Sequence, residues 1–332
     1  MELSNTEYEK EGGEKSLMKS KKTLFFLIVK QIFDYITNYY RELDKRAFLL
    51  CTLFTGLLIY LNFHYRIDDW IDQKNSVPAS FYYRYIIFFV AFFIPYVILG
   101  LISNKKYFLD LKFILLLIVS PAIFSWKIGM DTDIDFPVSA DWNFYLNEVT
   151  YWPLRLIMLM AILFIVWIFF YRSESFFGFT VSGFKWKPYI LMLVIMVPLI
   201  AIASTQPDFQ AMYPKLNDVN DVLQNKEYGW FYHFLHELSY GSDFISVELF
   251  FRGFLILAFV KIVGKDAIIP MACFYCTIHF GKPLGECISS YFGGMLLGIV
   301  VYNTRSIIGG LIVHVGIAWF MEIGGYIGNA FK

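Results

Sequence analysis

The chain has 332 residues, 58% hydrophobic and 20% aromatic against 17% charged, with 28 basic and 28 acidic side chains and no formal net charge. So apolar a composition excludes an ordinary pair of soluble domains and points to an all-α polytopic transmembrane helical bundle. No basic run interleaved with aromatics tracks a phosphate backbone, so nucleic acid is not an expected partner and the lipid bilayer is.

Residues Met1 to Lys22 are polar, with no apolar core and no small-residue cleavage site, so no cleavable signal peptide is expected and insertion relies on internal spans. Thr23 to Tyr40 is apolar but broken by Lys30 and Asp34, which predicts a helix lying in the interface. Nine spans follow: Ala47–Tyr65, Tyr85–Ile102, Phe108–Trp126, Trp152–Tyr171, Tyr189–Ser204, Phe244–Val260, Ala267–Phe280, Cys287–Tyr302 and Ser306–Met321. Asp110, Lys112 and Pro121 interrupt the third, and the count is eight without it. The chain divides into a polar tail with an interfacial helix (1–46), N-terminal transmembrane helices (47–204), a polar loop (205–229) and core helices (230–332).

The connections on the side of the N-terminus carry about twice the Lys and Arg of the other side, which predicts a cytoplasmic N-terminus. The expected location is a bacterial cytoplasmic (inner) membrane. Thr205 to Tyr228, with Asp208, Asn217, Asp218, Asn220 and Asp221, reads as an exposed loop or lid. His233 and His236 behind it read as interfacial groups, as does His64 beside Tyr65. Gly241-Ser242-Asp243 predicts a break and an N-cap before the Phe244 span. Cys51, Cys273, Cys276 and Cys287 lie in or beside apolar segments and read as packing residues; the Cys273-x-x-Cys276 pair lacks the βαβ context of a redox motif. The Gly294/Gly298 and Gly324/Gly328 spacings fit close helix packing.

Three of the late spans carry side chains that hydrocarbon excludes: Glu248 with Arg252 one helical turn later, His279, and His314. A carboxylate or guanidinium costs at least ~2.5–3.5 kcal/mol each at the bilayer centre, so such groups turn inward and mark function. One carboxylate and two imidazoles on three helices can polarise a water, either by holding Zn²⁺ through the imidazoles or by direct general-base catalysis. The His-Glu-x-x-His of a soluble zincin is absent, since His236-Glu237 is followed by Leu238-Ser239-Tyr240.

At these residues, from about Phe244 to Met321, the sequence resembles the CAAX prenyl protease type 2 group, the CAAX protease and bacteriocin-processing family of intramembrane proteases. The motif of two adjacent Glu and a following Arg is approached by Val247-Glu248-Leu249-Phe250-Phe251-Arg252, an aromatic four residues before a His by Tyr275 and His279, and a His with an amide four residues later by His314, where Ala318 replaces the amide. Val247 stands where the family has its favoured catalytic Glu.

The resemblance implies an intramembrane (metallo)endopeptidase acting on a membrane-associated peptide or protein. Glu248, His279 and His314 are then catalytic, Arg252, Tyr275 and Glu322 supporting, and His279 and His314 ligands if Zn²⁺ is used. Glu237, Glu286 and Glu322 are the acids that can replace the missing one. The alternatives are an inactive family member acting as a membrane scaffold and a proton-coupled transporter using the same acid and histidines. Counting ~1.5 Å per residue, Glu248 lies ~6 Å and His314 ~18 Å below the outer boundary. Bringing them together requires the Phe244 helix to start earlier, near Trp230, together with local thinning of the bilayer, and predicts a cavity open to the non-cytoplasmic side beneath the 205–228 loop.

Overall fold

A computed structural model describes residues 30–74, 76–182, 184–223 and 228–331. These residues are helical with no strand among them. Among the described residues six helices are long and apolar enough to cross a membrane: α2 (Lys45–Tyr65), α4 (Val77–Ile102), α5 (Leu111–Gly129), α6 (Ala140–Phe170), α14 (Leu284–Thr304) and α15 (Ile308–Ala330). Between and around them lie α1 (30–42), α3 (Ile67–Asp72), α7 (Lys187–Ala203), α8 (Pro207–Met212), α9 (Asn217–Leu223), α10 (Gly229–Val247), the short turns α11 (Leu255–Leu257) and α12 (Val260–Val263), and α13 (Ile268–Thr277).

The sorting of side chains is that of a membrane protein. Large apolar groups such as Leu49, Leu53 and Leu57 of α2 and Ile165 and Phe169 of α6 are exposed, while Lys127, Arg155, His236, Glu248, Arg252 and Glu322 are buried. The centre of the bundle is aromatic: Phe124 meets Phe250 at 4.7 Å and Phe251 at 4.8 Å between ring centroids, and Phe251 meets Phe274 at 5.1 Å. This block joins α4, α5 and α13 to the segment carrying Glu248, and so fixes the floor of the charged cluster.

Local chemistry explains several elements. The Asp110 carboxylate accepts from Phe113 N at 3.0 Å and caps α5, so the charge that interrupts the third span in sequence is its start signal. Helix α6, with 31 residues, is about 46 Å long at ~1.5 Å per residue, well beyond a ~30 Å hydrocarbon core. Its first turns, bearing Asp141, Asn143 and Asn147, pack Tyr145 against Val219 and Leu223 of α9, and the Tyr145 hydroxyl donates to Tyr232 O at 2.8 Å.

Several expectations are corrected. Residues 23–29 of the expected interfacial helix lie outside the described residues; of the remainder, α1 buries Tyr39 against the bundle, with Leu43 buried just beyond its end, and keeps its other side chains partly or fully exposed. The described stretch 205–223 of the expected loop is not open: α8 and α9 fold within it, Asn329 Nδ2 on α15 donates to Gln210 O and Tyr213 O, and the Glu322 carboxylate accepts from Lys215 N and Leu216 N at 3.0 and 3.3 Å. No break occurs at Gly241-Ser242-Asp243, through which α10 runs without interruption. The Asp243 carboxylate instead accepts from Lys127 Nζ at 2.5 Å and Ser246 Oγ at 2.8 Å. His236 is buried against Trp152 of α6, with neither ring nitrogen hydrogen-bonded, rather than interfacial. His64 is exposed between Tyr60 and Tyr65.

Candidate active site

Helix α10 begins at Gly229, fifteen residues before the apolar run that starts at Phe244, and at its end Glu248 meets His314. Its last turn passes into a π-helical segment, Glu248–Phe254, in which every residue is buried. Such segments recur at functional sites because the widened turn re-aims side chains that an α-helix would place elsewhere. Here Glu248 is 0% and Arg252 1% exposed.

The two form an ion pair, with Arg252 Nη1 3.1 Å from Glu248 Oε1. The N–H is poorly directed along that line, so the contact is charge attraction without an aligned hydrogen bond, and Nε is also unpaired. The guanidinium lies instead over the Tyr275 ring, its Cζ 3.8 Å from the centroid, a cation–π contact strengthened by desolvation.

His314 connects acid to aromatic. Its Nδ1 is 3.0 Å from Glu248 Oε1 and its Nε2 is 3.1 Å from the Tyr275 hydroxyl. A carboxylate can only accept, so Nδ1 carries the hydrogen; in the neutral ring Nε2 then accepts from Tyr275 O–H. Phe244 packs against the ring at 4.8 Å. His279 sits at the other edge of Tyr275, 4.6 Å between centroids, with Nδ1 3.0 Å from Tyr275 O. That carbonyl requires the Nδ1–H tautomer, which leaves the Nε2 lone pair unspent on a partly exposed ring.

Glu248, Arg252, Tyr275, His279 and His314 therefore converge, with Tyr275 at their centre. Glu248 Oε2 is buried without a hydrogen-bond partner and faces Gly310, where an added Cβ would lie 2.5 Å from it. Gly310 was not singled out from sequence, although it lies one turn before His314 and shares its face. Gly310→Ala is expected to push the carboxylate off His314 and lower thermal stability, a change that a melting curve in detergent reads directly.

Glu322 is not part of this group. Its carboxylate is spent on the Lys215 and Leu216 amides, so it anchors the cover formed by α8 and α9. Glu286 accepts from the Tyr213 hydroxyl at 3.0 Å, and Lys282 Nζ donates to the same hydroxyl at 3.4 Å. Burial pushes the Lys282 ammonium down and the Tyr213 phenol up, against the ordinary values of each. Glu237 shares a hydrogen bond with Glu322 and joins the cover rather than the cluster.

A Zn²⁺ ion would need a lone pair from each imidazole. His314 has none free, with one nitrogen given to Glu248 and the other to Tyr275, and among the described residues no three His, Cys, Asp or Glu side chains group around one point. The donor set as folded does not fit the metal.

Residues 243–320 match the model of a known family, described as type II CAAX prenyl endopeptidase Rce1-like. No curated protein and no solved structure matches the chain.

Proposed function

We propose that this chain, whose residues 243–320 match the type II CAAX prenyl endopeptidase Rce1-like family model, is an intramembrane endopeptidase that cleaves a membrane-associated peptide or protein without a metal. The observation that carries the reading is the connected set Arg252–Glu248–His314–Tyr275, beside a His279 whose Nε2 is free. His279 Nε2 takes a proton from water as hydroxide adds to the scissile carbonyl carbon. The Tyr275 hydroxyl turns from His314 to the developing oxyanion, with the Arg252 guanidinium on its ring favouring negative charge there. The imidazolium of His279 then gives its proton to the departing amine as the C–N bond breaks, which restores the starting state. Glu248 holds His314 in one tautomer, as the carboxylate of a Ser-His-Asp triad does.

The embedded count in this reading is nine, with α7, the run from α10 through α12, and α13 joining the six long helices. The N-terminus is cytoplasmic, and the substrate enters from the non-cytoplasmic face beneath α8 and α9. Labelling tests the orientation: with the native cysteines removed, an impermeant thiol reagent on intact cells is expected to modify Asn217→Cys and spare Ser16→Cys. The reverse pattern inverts the protein.

A second reading, a peptide-binding member without hydrolysis, is favoured by Val247, an apolar side chain buried where the family's favoured carboxylate stands. The deciding experiment offers the detergent-purified protein a peptide library, with and without a chelator. Cleavage that a chelator leaves unchanged supports the metal-free hydrolase, cleavage abolished by the chelator overturns the metal-free assignment, and retention of peptides without cleavage selects the second reading.

A further inference from the structure

At the far end of α11 and α12 from Glu248, three parts of the chain close around a cavity of about 490 Å³, lined by Tyr171, Glu174, Ser175, Phe177, Leu257, Val260, Lys261 and Arg305. Its frame is built rather than incidental. Ile307 N donates to Gly178 O at 2.9 Å, Ser306 Oγ to Thr180 O at 2.6 Å, and the Tyr171 hydroxyl to Ala258 O at 3.2 Å. Gly178, at φ +76°, allows the approach of Leu257, since an added Cβ would stand 2.9 Å from the leucine Cδ1.

The position and charge of the cavity define what fits. Tyr171 closes the C-terminus of α6 and Arg305 that of α14, so the cavity lies where two membrane-crossing helices end, at the depth of lipid headgroups. Lys261 pairs with Glu174, whereas Arg305 has no ion-pair partner among the described residues. A third cation, Lys112, stands with its Nζ 4.3 Å from the Tyr171 ring centroid. Two lining cations, with Lys112 beside Tyr171, against one carboxylate leave the site net positive, offset in part by the carbonyl ends of α6 and α14, with Leu257, Val260 and Phe177 as an apolar wall beside it.

We propose that this cavity binds a phosphate-bearing anion through Arg305 and Lys261, either the headgroup of an anionic phospholipid or a free phosphate compound. Basic pockets between helices at the membrane boundary take such groups because charge attraction adds to the burial of the adjoining chain. Glu174 competes with the anion for Lys261, so it sets the affinity from below. The site is separate from the chemistry at Glu248 and stands or falls without it.

The test uses the full chain in phosphatidylcholine nanodiscs containing a minor fraction of phosphatidylglycerol, with the phosphatidylglycerol retained after detergent exchange counted by native mass spectrometry. Lys261→Gln and Arg305→Gln are each expected to reduce retention by about fivefold, and Glu174→Gln to increase it. The gain in Glu174→Gln cannot be mistaken for failed folding. Inorganic phosphate added to phosphatidylcholine nanodiscs forms the second arm. If it raises the wild-type melting temperature but not that of the Lys261→Gln/Arg305→Gln variant, while phosphatidylglycerol is not retained, the site takes free phosphate. Retention that is indifferent to all three substitutions together with no phosphate effect, or a loss in Glu174→Gln, overturns the proposal.

Discussion

Arg252→Ala is expected to destabilise the protein by about 3–5 kcal/mol, because it removes the cation beside a carboxylate that has no access to water. The loss has two sources on the page: the ion pair with Glu248 Oε1 and the stacking on Tyr275. They separate in the Arg252→Lys variant, which keeps a charge near Glu248 but loses the planar face that covers the ring. Thermal unfolding in detergent should therefore rank wild type above Arg252→Lys above Arg252→Ala. The double variant Glu248→Gln/Arg252→Met, which removes both charges, should recover much of the loss. A wild-type melting temperature for Arg252→Ala would show that the pair contributes nothing to the fold.

The second large effect falls on turnover. His279→Ala should lower kcat/KM for a cleaved peptide by about 10²–10⁴-fold, the range for losing a general base, with little change in melting temperature because the ring is partly exposed and makes one hydrogen bond. Glu248→Gln keeps the shape of the side chain but removes the charge that fixes the His314 tautomer, so it should reduce turnover while sparing peptide binding. If His279→Ala cleaves as wild type does, the base is another group and the proposed chemistry fails.

How far these features could be read in advance depends on the range of the interactions involved. Glu248, Arg252, His279 and His314 stood out because hydrocarbon excludes such groups, so each was a signal by itself. Tyr275 came only through a family resemblance, since no property of an isolated tyrosine says that an arginine lies on its ring. The folding of 205–223 was hidden because its anchors, Glu322 and Asn329, lie more than a hundred residues away. His236 was misplaced for a similar reason, its neighbour Trp152 belonging to another helix. Hydropathy alone starts this helix at Phe244, because the turns from Gly229 to Asp243 are amphipathic and rest on α6 and α9, and only the need to bring Glu248 level with His314 moves the expected start to near Trp230, next to the observed Gly229.

The π-helical turn at Glu248–Phe254 is in effect an α-helix with one residue inserted. Deleting a single residue between Leu249 and Gly253 would let the segment rewind as α-helix, and because the wide turn absorbs its extra residue, the chain beyond it would keep nearly its present phase about the helix axis. The residues inside the turn would be re-aimed instead, so that Arg252 would lose its place on the Tyr275 ring and Phe250 and Phe251 would shift against α5 and α13. The meeting of acid, base and aromatic ring thus depends on chain length as well as on residue type, and at this one place a loss of three nucleotides from the coding sequence would disturb the site while leaving the helices beyond it in place.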